Sequence, residues 1–438
     1  MPKWFGRNRA RPQLFYGWYV VGAMFFTVLM GVGARQGYGL FFGEWTAAFG
    51  ASVSVLSGIA AVGWLVNGLS QPLVGALADR FGGRAVMGIS ALVMGLGIIG
   101  IGLAPNIVVL GFFYIVIVSF AMSGTMFSPA AATLSRWFRR KRGTALGIMT
   151  SGASVGGILL VPLMAFMLEI TDWRTTWIAT GIIMAFVASP VIFIVVRNDP
   201  RAMGLAADGA KLQLNRDGSS TSSAEALGPL AVEKWQTAYR SAPVWQLTMT
   251  YVVCGITTAT IAVHFVPYAV NEGISARTAA LAFAVLSMIN MIGVLFVGVI
   301  SDRILRKNAL TVIYAVRGVG FILLLVLPAQ WGLWAFAVVG GVSWLATIPA
   351  TTALAAEIYG VKNAGTINGM LSMLHQFGGA LAVFAAGAMF DAFGSYTPAF
   401  AIAAGTLVIA SLTSWSVRER AYSARFQTGR LATAPEPT

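Results

Sequence analysis

Along this chain, long unbroken apolar runs alternate with short segments that hold most of the charge. The runs approach the roughly 20 residues that a helix needs to cross a bilayer. Twelve spans are predicted, near 16–42, 53–78, 84–104, 107–133, 143–168, 175–196, 245–270, 277–300, 308–328, 331–356, 364–390 and 396–417. They are read as helices because hydrocarbon offers the backbone polar groups no partners outside the segment itself. Between the sixth and seventh runs the pattern breaks over 197–243, and the stretch from Asp217 to Glu225 is rich in Ser and Gly. Such a composition cannot build a core and reads as a flexible cytoplasmic linker. The expected plan is an all-α membrane protein: a six-helix bundle at 1–196, the linker at 197–243, and a second six-helix bundle with a tail at 244–438.

Composition agrees with this plan and removes the main competitor. Apolar residues make up 57% of the chain and charged ones 10%, against about a quarter charged in a soluble domain. With a mean hydropathy of +0.78, a soluble enzyme is excluded. The net charge of +14 would suggest nucleic acid in a soluble protein, so its placement matters. Numbering the loops from a cytoplasmic N-terminus puts 25 of the 29 Lys and Arg on the cytoplasmic side. Arg174 and Arg277 lie opposite, and Arg35 and Arg317 fall inside spans. The positive-inside rule then places both termini in the cytoplasm of a multi-pass cell (inner) membrane protein, with no role in nucleic acid binding. The first run is too long for a cleavable signal peptide. One Cys and two His rule out a disulfide framework and a multi-histidine metal site, and no metal or cofactor is expected.

The two halves repeat one another. Gly75-Ala-Leu-Ala-Asp79-Arg80 returns 223 residues later as Gly298-Val-Ile-Ser-Asp302-Arg303, and Asn67 returns as Asn290 at the same offset. Gly143, Gly147, Gly156, Gly157 and Glu169 return at 222 as Gly365, Gly369, Gly378, Gly379 and Asp391, and Pro129 returns at 220 as Pro349. Two parallel, pseudo-symmetric six-span repeats resemble the major facilitator fold, which holds its substrate near the bilayer midplane. Within the first repeat, Gly75-Ala-Leu-Ala-Asp79-Arg80-Phe-Gly-Gly-Arg84 resembles that superfamily's signature loop, G-x-L-a-D-r-x-G-r-[KR]. Its glycines let helices approach closely, and Asp79 can accept hydrogen bonds from a neighbouring helix N-terminus or pair with arginines. Gly75, Asp79, Arg80, Arg84, Asp302 and Arg303 are therefore candidate residues of a latch on the outward-facing state. A solvated turn that merely follows the charge rule is the alternative.

A second pattern narrows the family. The segment from Arg136 through Arg139, Lys141, Arg142, Gly143, Gly147 and Gly152 to Gly156 resembles the basic loop and fifth span of the monocarboxylate transporters. Tyr16-Gly17-Trp18-Tyr19-Val20-Val21 resembles the start of their first span, and bacterial oxalate/formate exchangers share the Tyr-Gly-Trp opening. The resemblance implies a transporter, not an enzyme, for small organic anions, most often lactate- or pyruvate-like acids moved with a proton.

Ionisable residues inside spans are costly in hydrocarbon and mark functional positions. No Asp or Glu lies deep in a span: Glu44, Glu169, Glu272, Glu357 and Asp391 all sit at span ends. Arg35, His264, Arg317 and His375 remain, an all-basic set suited to an anion. Asn368, Ser372, His375 and Gly379 share one face of the eleventh span. In the oxalate/formate exchangers a lysine lies six residues after the glycine matching Gly369, where His375 stands here. Arg35 shares a face with Gly31, Tyr38 and Gly39, so its guanidinium can reach inward and fork onto a carboxylate, or else snorkel to the outer interface. His264 belongs to a stripe of the seventh span with Thr250, Cys254, Thr257, Tyr268 and Asn271, as a substrate contact or as packing of the outer gate. Asn290 and Asn67 suit interhelical hydrogen bonds as well as ligand contact. Arg317 is expected to be structural, its stem reaching the cytoplasmic interface. The substrate-binding candidates are thus Arg35, Tyr38, His264, Tyr268, Asn290, Ser372 and His375.

The family's eighth span usually carries a carboxylate-binding arginine directly after the glycine matching Gly293; here that residue is Val294. An anion site would have to be rebuilt on Arg35 and the histidines. With no buried carboxylate, a histidine or the substrate itself must carry the proton. The reading is a monomeric secondary transporter of a small monocarboxylate-like anion, coupled to protons and working by alternating access. An anion exchanger of the oxalate/formate type is the alternative. A non-transporting ligand sensor would call for a large folded cytoplasmic domain, and nucleotide-driven transport for a G-x-x-x-x-G-K-[ST] loop, which the sequence lacks.

Overall fold

The computed structural model describes residues 15–51, 53–209 and 230–426; the Asp217–Glu225 stretch lies outside them. Twelve helices are long and apolar enough to cross a membrane. Spans 1 to 6 are Gly17–Phe41, Gly58–Phe81, Gly83–Gly102, Ile107–Trp137, Arg142–Ile170 and Trp173–Val195. Spans 7 to 12 are Ala242–Asn271, Leu281–Ser301, Arg306–Val326, Ala329–Tyr359, Ala364–Phe390 and Thr397–Ser416. Large apolar side chains such as Leu73, Phe112, Phe296 and Phe384 stay exposed on the outer surface, as a hydrocarbon solvent allows. Inside, spans 7–12 share a cluster that includes Val294, Phe321, Phe336 and Phe400. Two clusters built largely from spans 1–6 centre on Trp45 and Trp177, and on Trp137 and Met149.

Spans 4 and 10 are broken at matching places in the two repeats. Span 4 leaves helical geometry at Met126, with φ −90° and ψ −155°, and span 10 pauses between its segments Ala329–Ser343 and Thr347–Tyr359. A break at membrane depth is tolerated only where protein groups satisfy the freed backbone. In span 10 the Arg317 Nη2 donates to the carbonyls of Ser343 and, at 2.7 Å, Trp344. The Leu345 N–H donates to Asn290 Oδ1 at 2.8 Å. From the sequence Arg317 is expected to be structural with its stem reaching the cytoplasmic interface; it caps the break instead, and the stem does not reach that interface. The side chain is only 1% exposed and turns inward, because a cation at the C-terminal end of a half-helix meets the negative end of its dipole.

The ends of the described residues, near Phe15 and Phe426, and the loops carrying the repeated motif share one face, here the terminal face, and its helix starts are capped by carboxylates and amides from elsewhere in the chain. Asn198 Oδ1 accepts from the Arg84 N–H at 2.9 Å at the start of span 3. Glu419 accepts from the N–H groups of Arg306 and Lys307, at 3.0 and 2.8 Å, at the start of span 9. Burial pushes the Glu419 carboxyl up, and the two N–H bonds pull it back. Asp208, in the left-handed region at φ 59°, accepts from three consecutive amides, those of Arg139, Arg140 and Lys141. Asn363 Nδ2 donates to the carbonyls of Val232 and Glu233. The described ends of the expected flexible linker are therefore docked on both halves, through single capping side chains that composition does not display.

On this face the halves meet at glycines. A Cβ on Gly75 would run into the backbone carbonyl of Gly365, and one on Gly365 would sit 2.5 Å from the Gly75 oxygen. Gly82, which links spans 2 and 3, has φ +84° and lies against Asn198, so that turn needs glycine. Gly75→Val is expected to pry the terminal face open while leaving each bundle folded. A cysteine introduced beneath the contact should then react with a bulky maleimide several-fold faster than in the parent, and the sole native Cys254 is buried and gives little background. An unchanged rate would show that this contact does not hold the face closed.

Candidate functional site

Hydrogen bonds between the two halves run from mid-span to the terminal face. At mid-span, Gln376 of span 11 donates to Asn67 of span 2 at 3.1 Å. Asn290 of span 8 donates to Ser154 of span 5 at 2.8 Å. Ser372 of span 11 lies 3.4 Å from Ser128 of span 4, which in turn donates to Gln71 at 3.2 Å. Gln376 and Ser154 are themselves repeat partners at the 222 offset, so the two asparagines make related bonds across the pseudo-symmetry axis. At the terminal face Asp79 accepts from the Gly365 N–H at 2.8 Å, the Thr366 N–H at 2.7 Å and the Thr366 hydroxyl at 2.6 Å. Asp302 accepts from the Gly143 N–H at 2.7 Å, the Thr144 N–H at 2.8 Å and the Thr144 hydroxyl at 2.7 Å. Each aspartate thus caps a span of the opposite half.

The arginines of the motif do not share this role. Arg84 donates to the Phe193 carbonyl at 2.8 Å, and Arg80 lies beside Phe81. On the second repeat the paired cation is Arg306, which bridges Asp302 at 2.9 Å and Glu357 at 2.5 Å; Arg303 lies in the turn that closes span 8. The contact across the halves is made by a carboxylate and a helix N-terminus, where charge and unpaired amides act together.

Above the mid-span bonds, Arg35 lies on the side away from the terminal face. Its guanidinium carbon sits 3.5 Å from the centroid of the Trp64 ring, and its Nη1 points at Met122 Sδ, 3.8 Å away. Its Nη2 is buried without a hydrogen-bond partner, and among the described residues no carboxylate pairs with it. Asn67 donates to the Ser119 carbonyl and the Ser123 hydroxyl, which flank Met122 on span 4. Asn67 also holds Gln376, next to His375. One turn of span 4 therefore links the Arg35 environment to the His375 turn of span 11. His375 packs against the Tyr251 ring at 4.9 Å, and its Nε2 lies 3.4 Å from the Thr258 hydroxyl. Tyr251 in turn faces Ser372.

The sequence candidates thus separate into two groups. Ser372 and Asn290 reach across the seam between the halves, Asn290 being engaged by Ser154 and Leu345, while Arg35 lies against Trp64 and Met122 of its own half and His375 against Tyr251 and Thr258 of span 7. Tyr38 packs against the Tyr114 ring, tilted at 42° with centroids 4.3 Å apart, and donates to the Leu56 carbonyl. His264 and Tyr268 lie elsewhere. His264 Nε2 is 3.1 Å from the Val383 carbonyl and its ring packs on Tyr396; Tyr268 donates to the Leu324 carbonyl at 3.2 Å. Six residues separate His264 from Thr258, about 9 Å along the helix, so the two histidines are not brought together. Trp64, Tyr251 and Gln376 went unnamed in the sequence reading. Trp64 stands three residues before Asn67 on the same face, a signal that could have found it. Val294, in place of the expected arginine, is wholly buried in the apolar cluster of spans 7–12.

Comparison with known proteins decides the family. Residues 24–383 match the model of the Major Facilitator Superfamily. The chain belongs to this superfamily. It is 27% identical over 384 residues to the uncharacterized MFS-type transporter YcxA of Bacillus subtilis (strain 168), covering 85% of this chain and 88% of the relative. It is 25% identical over 400 residues to Monocarboxylate transporter 13 of Bos taurus, covering 90% and 88%. Among solved structures it superposes on the MFS proton:xylose symporter XylE with a TM-score of 0.71 at 14% identity, covering 95% of this chain and 99% of that one. This superfamily member is a multi-pass membrane transporter, and its curated relatives include proteins named for monocarboxylates.

Proposed function

We propose that this transporter carries a small monocarboxylate-like anion together with a proton by alternating access, with both termini in the cytoplasm of the cell membrane. The observation that carries the reading is the Arg35 Nη2, buried beside Trp64 with no partner of its own. A buried guanidinium without a counter-ion is costly, and an entering carboxylate would relieve that cost by a charge-assisted bond. The monocarboxylate names among the relatives support the same class. With the terminal face held by Asp79 and Asp302, the described conformation is closed on that side, and in this reading the mid-span bonds lie beneath the substrate.

His375 is the group assigned to the proton. It packs against Tyr251, which in turn faces Ser372, and histidine is the side chain suited to exchanging a proton near neutral pH. An arriving carboxylate attracts a protonated imidazole, so proton and anion reinforce each other's binding. The sign follows by linkage: lowering the pH tightens substrate affinity, because substrate raises the proton affinity of the histidine. His375→Gln is expected to retain exchange of labelled pyruvate across proteoliposomes but to lose accumulation driven by an inward proton gradient. A variant that still concentrates pyruvate on a proton gradient alone would move the proton to another group.

A further inference from the structure

Outside the transport site, a cavity opens where the end of the linker meets spans 7 and 11. It holds about 360 Å³ and is lined by Trp235, Gln236, Tyr239, Trp245, Met370 and Leu374. Its aromatic wall is already assembled. Trp235 and Trp245 each meet the Tyr239 ring edge-on, with centroids 6.1 and 5.6 Å away, and the Trp245 indole donates to the Tyr239 carbonyl at 2.8 Å. The segment carrying this wall is tied to the second half. Asn363 Nδ2 donates to the Val232 and Glu233 carbonyls, and the Val232 N–H donates to the Tyr359 carbonyl at 3.4 Å.

From this cavity an apolar track runs toward the membrane interior. Met370, Leu374, Phe377 and Leu381 share one face of span 11, while Ser372, His375 and Gln376 lie on the opposite one. Phe377 and Leu381 are exposed, as are Trp245 and Met249 of span 7. A second cavity of about 170 Å³ continues along the same pair of spans, bordered by Ile256, Gly378 and Leu381 and by Ala399 of span 12. Met370 to Leu381 covers about 16 Å of helix, and one leaflet supplies about 15 Å of hydrocarbon. A single acyl chain fits that depth.

The mouth of the cavity is basic. Lys234 precedes Trp235 and Arg240 follows Tyr239, both exposed, and among the described residues neither is paired with a carboxylate. The adjacent acid, Glu233, is already bridged by Lys362. Tryptophan and tyrosine at headgroup level with cations beside them suit a negatively charged headgroup, whereas a neutral lipid would leave both cations uncompensated.

We propose that this cavity binds one anionic phospholipid, its phosphate held by Lys234 and Arg240 and an acyl chain lying between spans 7 and 11. The cytoplasmic placement of the terminal face, on which this rests, assigns the lipid to the cytoplasmic leaflet, where anionic headgroups concentrate. The chain backs the turn of span 11 whose other side reaches across the halves through Ser372 and Gln376. A lipid that fits this arrangement better than the open one shifts the equilibrium by that difference in affinity. It therefore braces the closed terminal face.

Native mass spectrometry of the purified full-length protein tests the site, with phosphatidylglycerol and phosphatidylcholine of identical chains as probes. One phosphatidylglycerol per protein should be retained in preference to phosphatidylcholine. Lys234→Gln with Arg240→Gln should weaken it about 30-fold, roughly a factor of five for each cation. Met370→Trp, which fills the cavity and keeps both cations, should also lose it. Equal retention of the two lipids, retention unchanged in either variant, or a lipid-free dimer whose second copy covers the face would overturn the site. The brace is read from distances between spin labels across the terminal mouth. The closed-to-open ratio should be at least about fivefold higher in phosphatidylglycerol than in phosphatidylcholine, and the double variant should not respond. Distances in the parent that ignore the lipid would overturn the brace. Neither arm uses pyruvate, so a failure of the proposed substrate leaves both results standing.

Discussion

Arg35→Gln is expected to abolish saturable uptake of labelled pyruvate while leaving folded protein in the membrane. The guanidinium is already stacked on Trp64 and its Nη2 has no partner, so the residue holds one forked donor in reserve for the substrate. A neutral amide is shorter and carries no charge. Losing one partner of a desolvated charge pair costs about 2–5 kcal/mol, which lowers kcat/KM at least about 30-fold. Arg35→Lys should fall between the two, since the ammonium keeps the charge but neither forks onto a carboxylate nor stacks on the ring. Uptake kinetics in Arg35→Gln equal to those of the parent would remove this residue from the site.

Asp79→Asn should move the population toward inward-facing states, and Asp302→Asn should do the same. Each carboxylate accepts two backbone N–H bonds and one hydroxyl bond from the first turn of a span in the opposite half. An asparagine offers one acceptor oxygen and turns an amide donor toward amides, and the attraction of a full charge to the helix dipole disappears. The closed terminal face then loses about 1–3 kcal/mol, a five- to more than 100-fold shift between the two states. The two substitutions differ in their side effects. Asp302 is also paired with Arg306, which Glu357 holds from span 10, so part of the local order survives its loss. Distances between spin labels across the terminal mouth would report both shifts; distributions identical to the parent's would mean that the aspartates do not set this equilibrium.

Much of the architecture is legible because its causes are written in one dimension. Span length follows from bilayer thickness, and the repeat at 220 to 223 residues announces paired bundles before any contact is known. The Asp79 contact with a helix N-terminus is legible for the same reason, since the aspartate recurs beside glycines that demand a close approach. What escapes is the rotation of each helix about its axis. Arg317 reads as an outer, snorkelling arginine from its span alone, yet the break in span 10 presents carbonyls that draw it inward. Thr257 and His264 share one stripe of span 7, but the stripe bends along the bundle, and the outer histidine meets the Val383 carbonyl rather than the seam. Asp208 and Asn198 act on amides distant in sequence, and no local pattern marks such caps.

The central claim is that a small carboxylate enters this transporter and moves with a proton. Counterflow in proteoliposomes tests it most directly, with vesicles preloaded with unlabelled pyruvate, oxalate, an organic cation or xylose and challenged with the matching labelled compound. The account predicts transient overshoot of labelled pyruvate, faster at acidic external pH and absent in Arg35→Gln. Overshoot with xylose or the cation, and none with either carboxylate, would contradict it.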